Sequence, residues 1–253
     1  MAVLDVAARV WRDALNIEVG QEPAALILEG TWWRAAAEKS RLALLDNVRE
    51  TAFPDIYIGQ WQGVRVAYCC AYGAARAVEP AHIFAQMGTP LLIQLGTCGA
   101  FIPDARPGSV MLPEICAARD GVSQHYGCGP DIELDPVWID RAERLLAKEN
   151  LQTLRGRHLT WPSLFAQSDE MCRQWAEEGL LTVDMETSVV GAVAQKFGVS
   201  AVSLLSVWDA LSEGKTFLDP LPPEHAAELS RANTRIFDVA LQLAKEVALR
   251  RAA

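Results

Sequence analysis

The chain has 253 residues, 51% hydrophobic and 22% charged, with 23 Lys and Arg against 32 Asp and Glu, a formal net charge of −9. That balance supports a packed core and excludes a general polyanion binder, since nucleic-acid affinity rests on basic groups that neutralise phosphates. No nucleic-acid partner is expected.

A chain of this length buries about 70–75% of its extended surface, enough to be stable without metals or disulfides. The six cysteines form no CxxC pair and no Cys/His cluster, so they read as small buried hydrophobes in a reducing compartment. Neither a metal site nor an organic cofactor is implied, and the cytoplasm is the expected location. The N-terminal segment carries Asp5 where a signal peptide has basic residues, and places Val3, Val6, Ala7, Val10 and Trp11 at helical spacing. The longest stretch without Asp, Glu, Lys or Arg runs from Pro80 to Pro103. It contains three prolines and three glycines, unlike a membrane span, and no membrane partner is expected.

In chain order, the apolar run Ala24 to Leu28 predicts a core strand, Glu29-Gly30 a tight turn, and Thr31 to Val48 a helix. Two β-rich runs flanking Gln62-Gly63 predict a hairpin. A helix from Ala74 to Met87 then leads to Leu91 to Leu95, a continuous apolar run that suits a buried strand. Further elements are a short strand at Ser109 to Leu112, a helix at Val137 to Asn150 and a second helix at Asp169 to Glu178. A strand or turn at Leu180 to Val183 and a helix from Glu186 to Phe197 precede the buried strand Ala201 to Val207. A long helix from Pro223 to Arg251 closes the chain, with Leu229, Ile236, Val239, Leu243 and Val247 on one face. Alternating strands and helices give an α/β layer protein with a largely parallel sheet. No repeat or linker divides it, so residues 1–253 read as a single domain.

Three segments carry candidate chemistry. Leu91 to Leu95 runs into Gly96-Thr97-Cys98-Gly99, where backbone N–H groups and the Thr97 hydroxyl can converge on a phosphate or carboxylate. A plain tight turn explains the same glycines. In Val183-Asp184-Met185-Glu186, a carboxylate beside a thioether suits sugar hydroxyls and the apolar face of a ribose. Acidic residues that merely favour a helix N-terminus are the competing reading. Asp209, beside Trp208, follows a buried strand at the sheet edge where ligands of open α/β sheets gather. Partial desolvation would raise its pKa and let it hold a proton near neutrality. A helix N-cap is the alternative.

Together the ordered segments LILEGTWWR, DNVRE, LIQLGTCGA, VDMET and LLSVWD resemble the PNP/UDP phosphorylase family of nucleoside phosphorylases and related nucleosidases. The resemblance implies a three-layer α/β/α domain with a mixed, partly barrel-like central sheet, assembled as a homo-oligomer, a trimer or hexamer. It implies phosphate-dependent cleavage of the N-glycosidic bond of a nucleoside, purine-type here, to free base and ribose 1-phosphate. Inorganic phosphate is then the co-substrate. By position, Gly30, Arg34 and Thr97 match the phosphate ligands, and Arg49 the arginine that reaches the phosphate of a neighbouring subunit. Asp184, Met185 and Glu186 match the ribose trio, Asp209 the acid that protonates the purine N7, and Phe165 and Tyr72 an aromatic wall for the base.

The chain departs from the family pattern in places. Gln94 stands where the family phosphorylases have an arginine, Trp32 and Trp33 crowd the loop after the first strand, and Leu229 falls near the place of a helper arginine in the last helix. The lost arginine keeps a hydrolytic nucleosidase in view as the alternative, and a non-catalytic nucleoside-binding relative as another. A Gln-x-Arg uracil-recognition motif is lacking, which favours a purine.

Overall fold

A computed structural model describes residues 6–252. The spacing at Val3 and the acidic Asp5 lie outside the described residues. The ten strands form one mixed sheet in the order β10-β6-β8-β9-β5-β1-β4-β3-β2, with β7 on β6. These are β1 (Ala25–Gly30), β2 (Asp46–Glu50), β3 (Ile56–Trp61), β4 (Val64–Cys70), β5 (Leu91–Ala100), β6 (Val110–Ala118), β7 (Asp131–Glu133), β8 (Thr153–Thr160), β9 (Thr182–Asp184) and β10 (Ser200–Ala210). Because β10 also pairs with β5, the strands β5, β10, β6, β8 and β9 close on themselves. This is the barrel-like part of the sheet, and closure removes the exposed edges an open sheet would present.

The helices α1 (Ala8–Leu15), α2 (Arg34–Leu42), α3 (Ala74–Met87), α4 (Pro136–Lys148), α5 (Asp169–Glu177), α6 (Thr187–Phe197) and α7 (Pro223–Ala252) fill the outer layers. α3 packs on α6, and α4 on α7. Strand β1 lies between β4 and β5, parallel to both and buried along its whole length, as its unbroken apolar run requires. The predicted hairpin is β3–β4, and both turn residues, Gln62 and Gly63, have positive φ (49° and 80°), the conformation that matches strand twist. Among the described residues no helix is long and apolar enough to cross a membrane, and all six cysteines are free.

Four expectations are corrected. Glu29 and Gly30 belong to β1 rather than a turn, and the helix after them stops at Leu42. DNVRE is the edge strand β2, held by pairing with β3, not the end of a helix. GTCGA is no loop: it continues β5 and pairs with β10 along its length, while on the other edge Gly96 pairs with β1 and Gly99 and Ala100 with β9, so Thr97 and Cys98 are paired on one side alone. β10 runs to Ala210 and carries Asp209 opposite Gly99, after a register shift at Trp208. An extra residue of this kind re-aims the side chains beside it.

Candidate active site

Around the ends of β1, β5 and β10 lies a cavity of about 550 Å³, closed on its outer side by α2, α7 and the loop after β10. Gly30, Tyr72, Thr97, Asp184, Met185, Glu186 and Asp209 all line it, although they come from five separate parts of the sequence. β1 and β5 are in register with Gly30 opposite Gly96, which sets Thr97 one residue beyond the end of β1.

Glu186 is the N-cap residue of α6, yet its side chain caps no helix N–H. Its Oε1 instead accepts from the Gly73 backbone N–H at 2.5 Å, across 113 residues. Helix capping therefore does not explain this carboxylate. Burial, reinforced by the charge of Asp184, pushes its pKa up to about 8 against the bonds from the Gly73 and Met185 N–H groups. Asp184 has a different environment. Its Oδ1 accepts from Thr160 at 2.8 Å and lies 2.9 Å from His158 Nε2, while its Oδ2 accepts from the Thr187 hydroxyl (2.6 Å) and backbone N–H (2.9 Å). The Asp184 carboxylate is thus committed to the protein interior, where it ties β8, β9 and α6 together.

Asp209 is 8% exposed, and its Oδ1 has no hydrogen-bond partner. Burial pushes its pKa up to about 6; a bond from the Phe217 backbone opposes the shift and the charge of Asp219 adds to it. A buried carboxyl oxygen without a partner, facing a cavity, is what a proton donor to a bound ligand needs.

Arg34 lies away from the cavity in which the resemblance places it. Arg34 pairs with Glu38 through Nε at 2.8 Å and with Asp55 through Nη2, and it does not line the cavity. Arg49 donates from Nη2 to the carbonyls of Leu15 (3.0 Å) and Asn16 (2.9 Å), at the C-terminal end of α1. Arg231 donates to the carbonyls of Glu149 and Asn150. Gln94, at the place of the missing arginine, is fully buried and accepts from Thr187 Oγ1 at 3.1 Å. Among the described residues one cation does line the cavity, Arg41, which the sequence motifs do not single out and which is paired with Glu29 at 2.9 Å. A glutamate inside the apolar run ALILEG is the signal that a buried partner must exist.

Aromatic side chains ring the opening. Trp32 has ring centroids 5.6 Å from Tyr72, 5.7 Å from Phe165 and 5.8 Å from Phe217, and Trp33 stacks on Trp208 at 5.2 Å. Phe165 is 74% exposed and reaches the site only through Trp32. The two tryptophans line the cavity and link these rings to it. Among the described residues no group of three or more His, Cys, Asp or Glu is placed to hold a metal ion.

Residues 25–245 match the family described as the Phosphorylase superfamily. The chain belongs to that family. Phosphorylases of this superfamily are nucleoside phosphorylases, pentosyltransferases by reaction class. The chain is 26% identical over 179 residues to the DeoD-type purine nucleoside phosphorylase of Caldanaerobacter subterraneus subsp. tengcongensis, covering 64% of this chain and 76% of that one. It is 28% identical over 166 residues to the DeoD-type purine nucleoside phosphorylase of Geobacillus kaustophilus, covering 63% and 69%. In fold it is similar to the uridine phosphorylase of Vibrio fischeri ES114, with a TM-score of 0.78 at 18% identity over 93% of this chain and 97% of that one.

Proposed function

We propose that this phosphorylase cleaves the N-glycosidic bond of purine nucleosides, with inorganic phosphate as acceptor, giving the free base and ribose 1-phosphate. The observation that carries the reading is Asp209, a buried carboxyl with an unpartnered oxygen and a raised pKa at the cavity wall. As the C1′–N bond breaks, electrons move onto the base. Asp209 delivers a proton to a ring nitrogen such as the purine N7, so the base leaves neutral. The sugar becomes oxocarbenium-like, and a phosphate oxygen closes on C1′. Glu186 accepts hydrogen bonds from the ribose hydroxyls and Met185 packs on the sugar face, which holds C1′ in line. A pyrimidine has no counterpart of N7, and the chain's similarity to two purine nucleoside phosphorylases favours the purine.

A second reading, hydrolysis by water, is favoured by Gln94 and by the absence of Arg34 and Arg49 from the cavity of the single chain. The phosphate reading accommodates Arg49 through a second copy of the chain in a homo-oligomer. One experiment tests both: base release from inosine, adenosine, 5′-deoxy-5′-methylthioadenosine and uridine, with and without phosphate. Phosphate-dependent release from the purines is expected. Equal release without phosphate would replace the acceptor, and release from uridine alone would replace the base.

A further inference from the structure

Arg41 is the only cation among the described residues that line the cavity, against the four carboxylates Glu29, Asp184, Glu186 and Asp209. Arg41 is 8% exposed. Burial disfavours its charge, but the bond and charge of Glu29 outweigh this and raise its pKa above the usual value. A guanidinium has five N–H donors. Nε donates to Glu29 Oε2 at 3.0 Å, and Nη2 donates to Glu29 Oε1 at 2.9 Å and to the Asn233 carbonyl at 2.7 Å. Nη1 has no protein partner among the described residues. The Phe237 ring, with its centroid 4.9 Å from the guanidinium carbon, stacks under the group. Glu29 is itself satisfied, because Oε2 also accepts from Tyr68 at 2.7 Å. The pair is thus a clamp that fixes the guanidinium on a cavity wall with one edge unused. A charged donor left unpaired on a cavity wall is free to take up an anionic oxygen.

We infer that Arg41, through Nη1, binds an oxygen of the acceptor phosphate, supplying the cation that Gln94 has lost, with Glu29 as its positioning residue. The inference rests on the phosphate reading given above. It differs from the inherited pattern because this cation reaches the site from the last turn of α2, across β1 from Glu186.

The test compares the wild-type protein with Arg41→Lys and with the double variant Glu29→Gln/Arg41→Gln, which removes both charges and so leaves no unpaired buried ion. Inorganic phosphate binding is measured by calorimetry without nucleoside, and KM is measured separately for phosphate and nucleoside. Weaker phosphate binding by about tenfold or more, with nucleoside KM unchanged, is expected of both variants, the loss of one charge-assisted bond. Should Arg41→Lys not fold, the double variant decides. Phosphate affinity unchanged in a folded variant, or nucleoside KM rising in parallel, would overturn the assignment. If the wild type turns over without phosphate but binds it through Arg41, the acceptor reading fails and the site stands; if it binds no phosphate, both fall.

Discussion

The Glu186 carboxylate packs against the bare α-carbon of Gly30: a Cβ there would fall 2.7 Å from both Cδ and Oε2 of Glu186. Gly30 has an ordinary backbone conformation, so what the position requires is space, not a positive φ. Gly30→Ala is therefore expected to push Glu186 out of line without unfolding β1. A loss of about 100-fold in kcat/KM is predicted, the scale of a misplacement of about 1 Å at a positioning group. Steady-state kinetics with circular dichroism checks it, and full activity would remove Glu186 from the site.

Asp209 gives the sharpest chemical prediction. Asp209→Asn keeps the shape and burial but cannot donate an acidic proton, so kcat is expected to fall about 10²- to 10⁴-fold, the usual contribution of general acid catalysis. Because Oδ1 has no partner to lose, thermal stability should be retained or increased.

The raised pKa values make signed predictions with pH. With a pKa of about 6, Asp209 holds its proton in about a tenth of molecules at pH 7. The free-enzyme kcat/KM profile is expected to lose its acid above about pH 6, and a profile flat from pH 5 to 8 would contradict this. Stability follows the same groups. Asp209 and Glu186 bind protons more tightly folded than unfolded, so their contribution is fully present below about pH 4. It is lost as pH rises through about 6 for Asp209 and about 8 for Glu186. Glu186→Gln should flatten the upper part of that dependence in urea unfolding followed from pH 5 to 9.

Asp184 is expected to behave as a structural residue. Asp184→Ala leaves the Thr160 hydroxyl and the Thr187 backbone N–H without the acceptor that Asp184 supplies, and takes one of two acceptors from the Thr187 hydroxyl. A loss of about 3 kcal/mol or more is predicted from chemical denaturation, typical of breaking a buried charged network. A loss below about 1 kcal/mol would instead fit a carboxylate directed at the ligand.

Much of the fold was legible where burial imposes a period. The run Leu91 to Leu95, the hairpin at Gln62-Gly63 and the apolar face of α7 appear where the sequence predicts them. β2 and β8 did not announce themselves. DNVRE is almost wholly exposed and TLRGRHLT only partly buried, so neither alternates, and both owe their extended form to pairing with neighbours. GTCGA reads as a turn because glycine is a turn residue, yet pairing with β10 along its length holds it extended. At the site, Thr97, Met185, Glu186 and Asp209 could be picked out because each adjoins a buried strand or helix start. The arginines could not, since the partner that aims a guanidinium is set by tertiary structure. Arg34 finds Asp55, Arg49 finds the end of α1, and among the described arginines Arg41 alone, held by Glu29, lines the cavity.

Ribosyl transfer from a purine to phosphate is read directly in the sugar product. With inosine and phosphate, phosphorus NMR is predicted to show ribose 1-phosphate forming in step with hypoxanthine, and Asp209→Asn to form both at least about 100-fold more slowly. Free ribose in place of the phosphate ester, or base release at an undiminished rate in Asp209→Asn, would contradict the account.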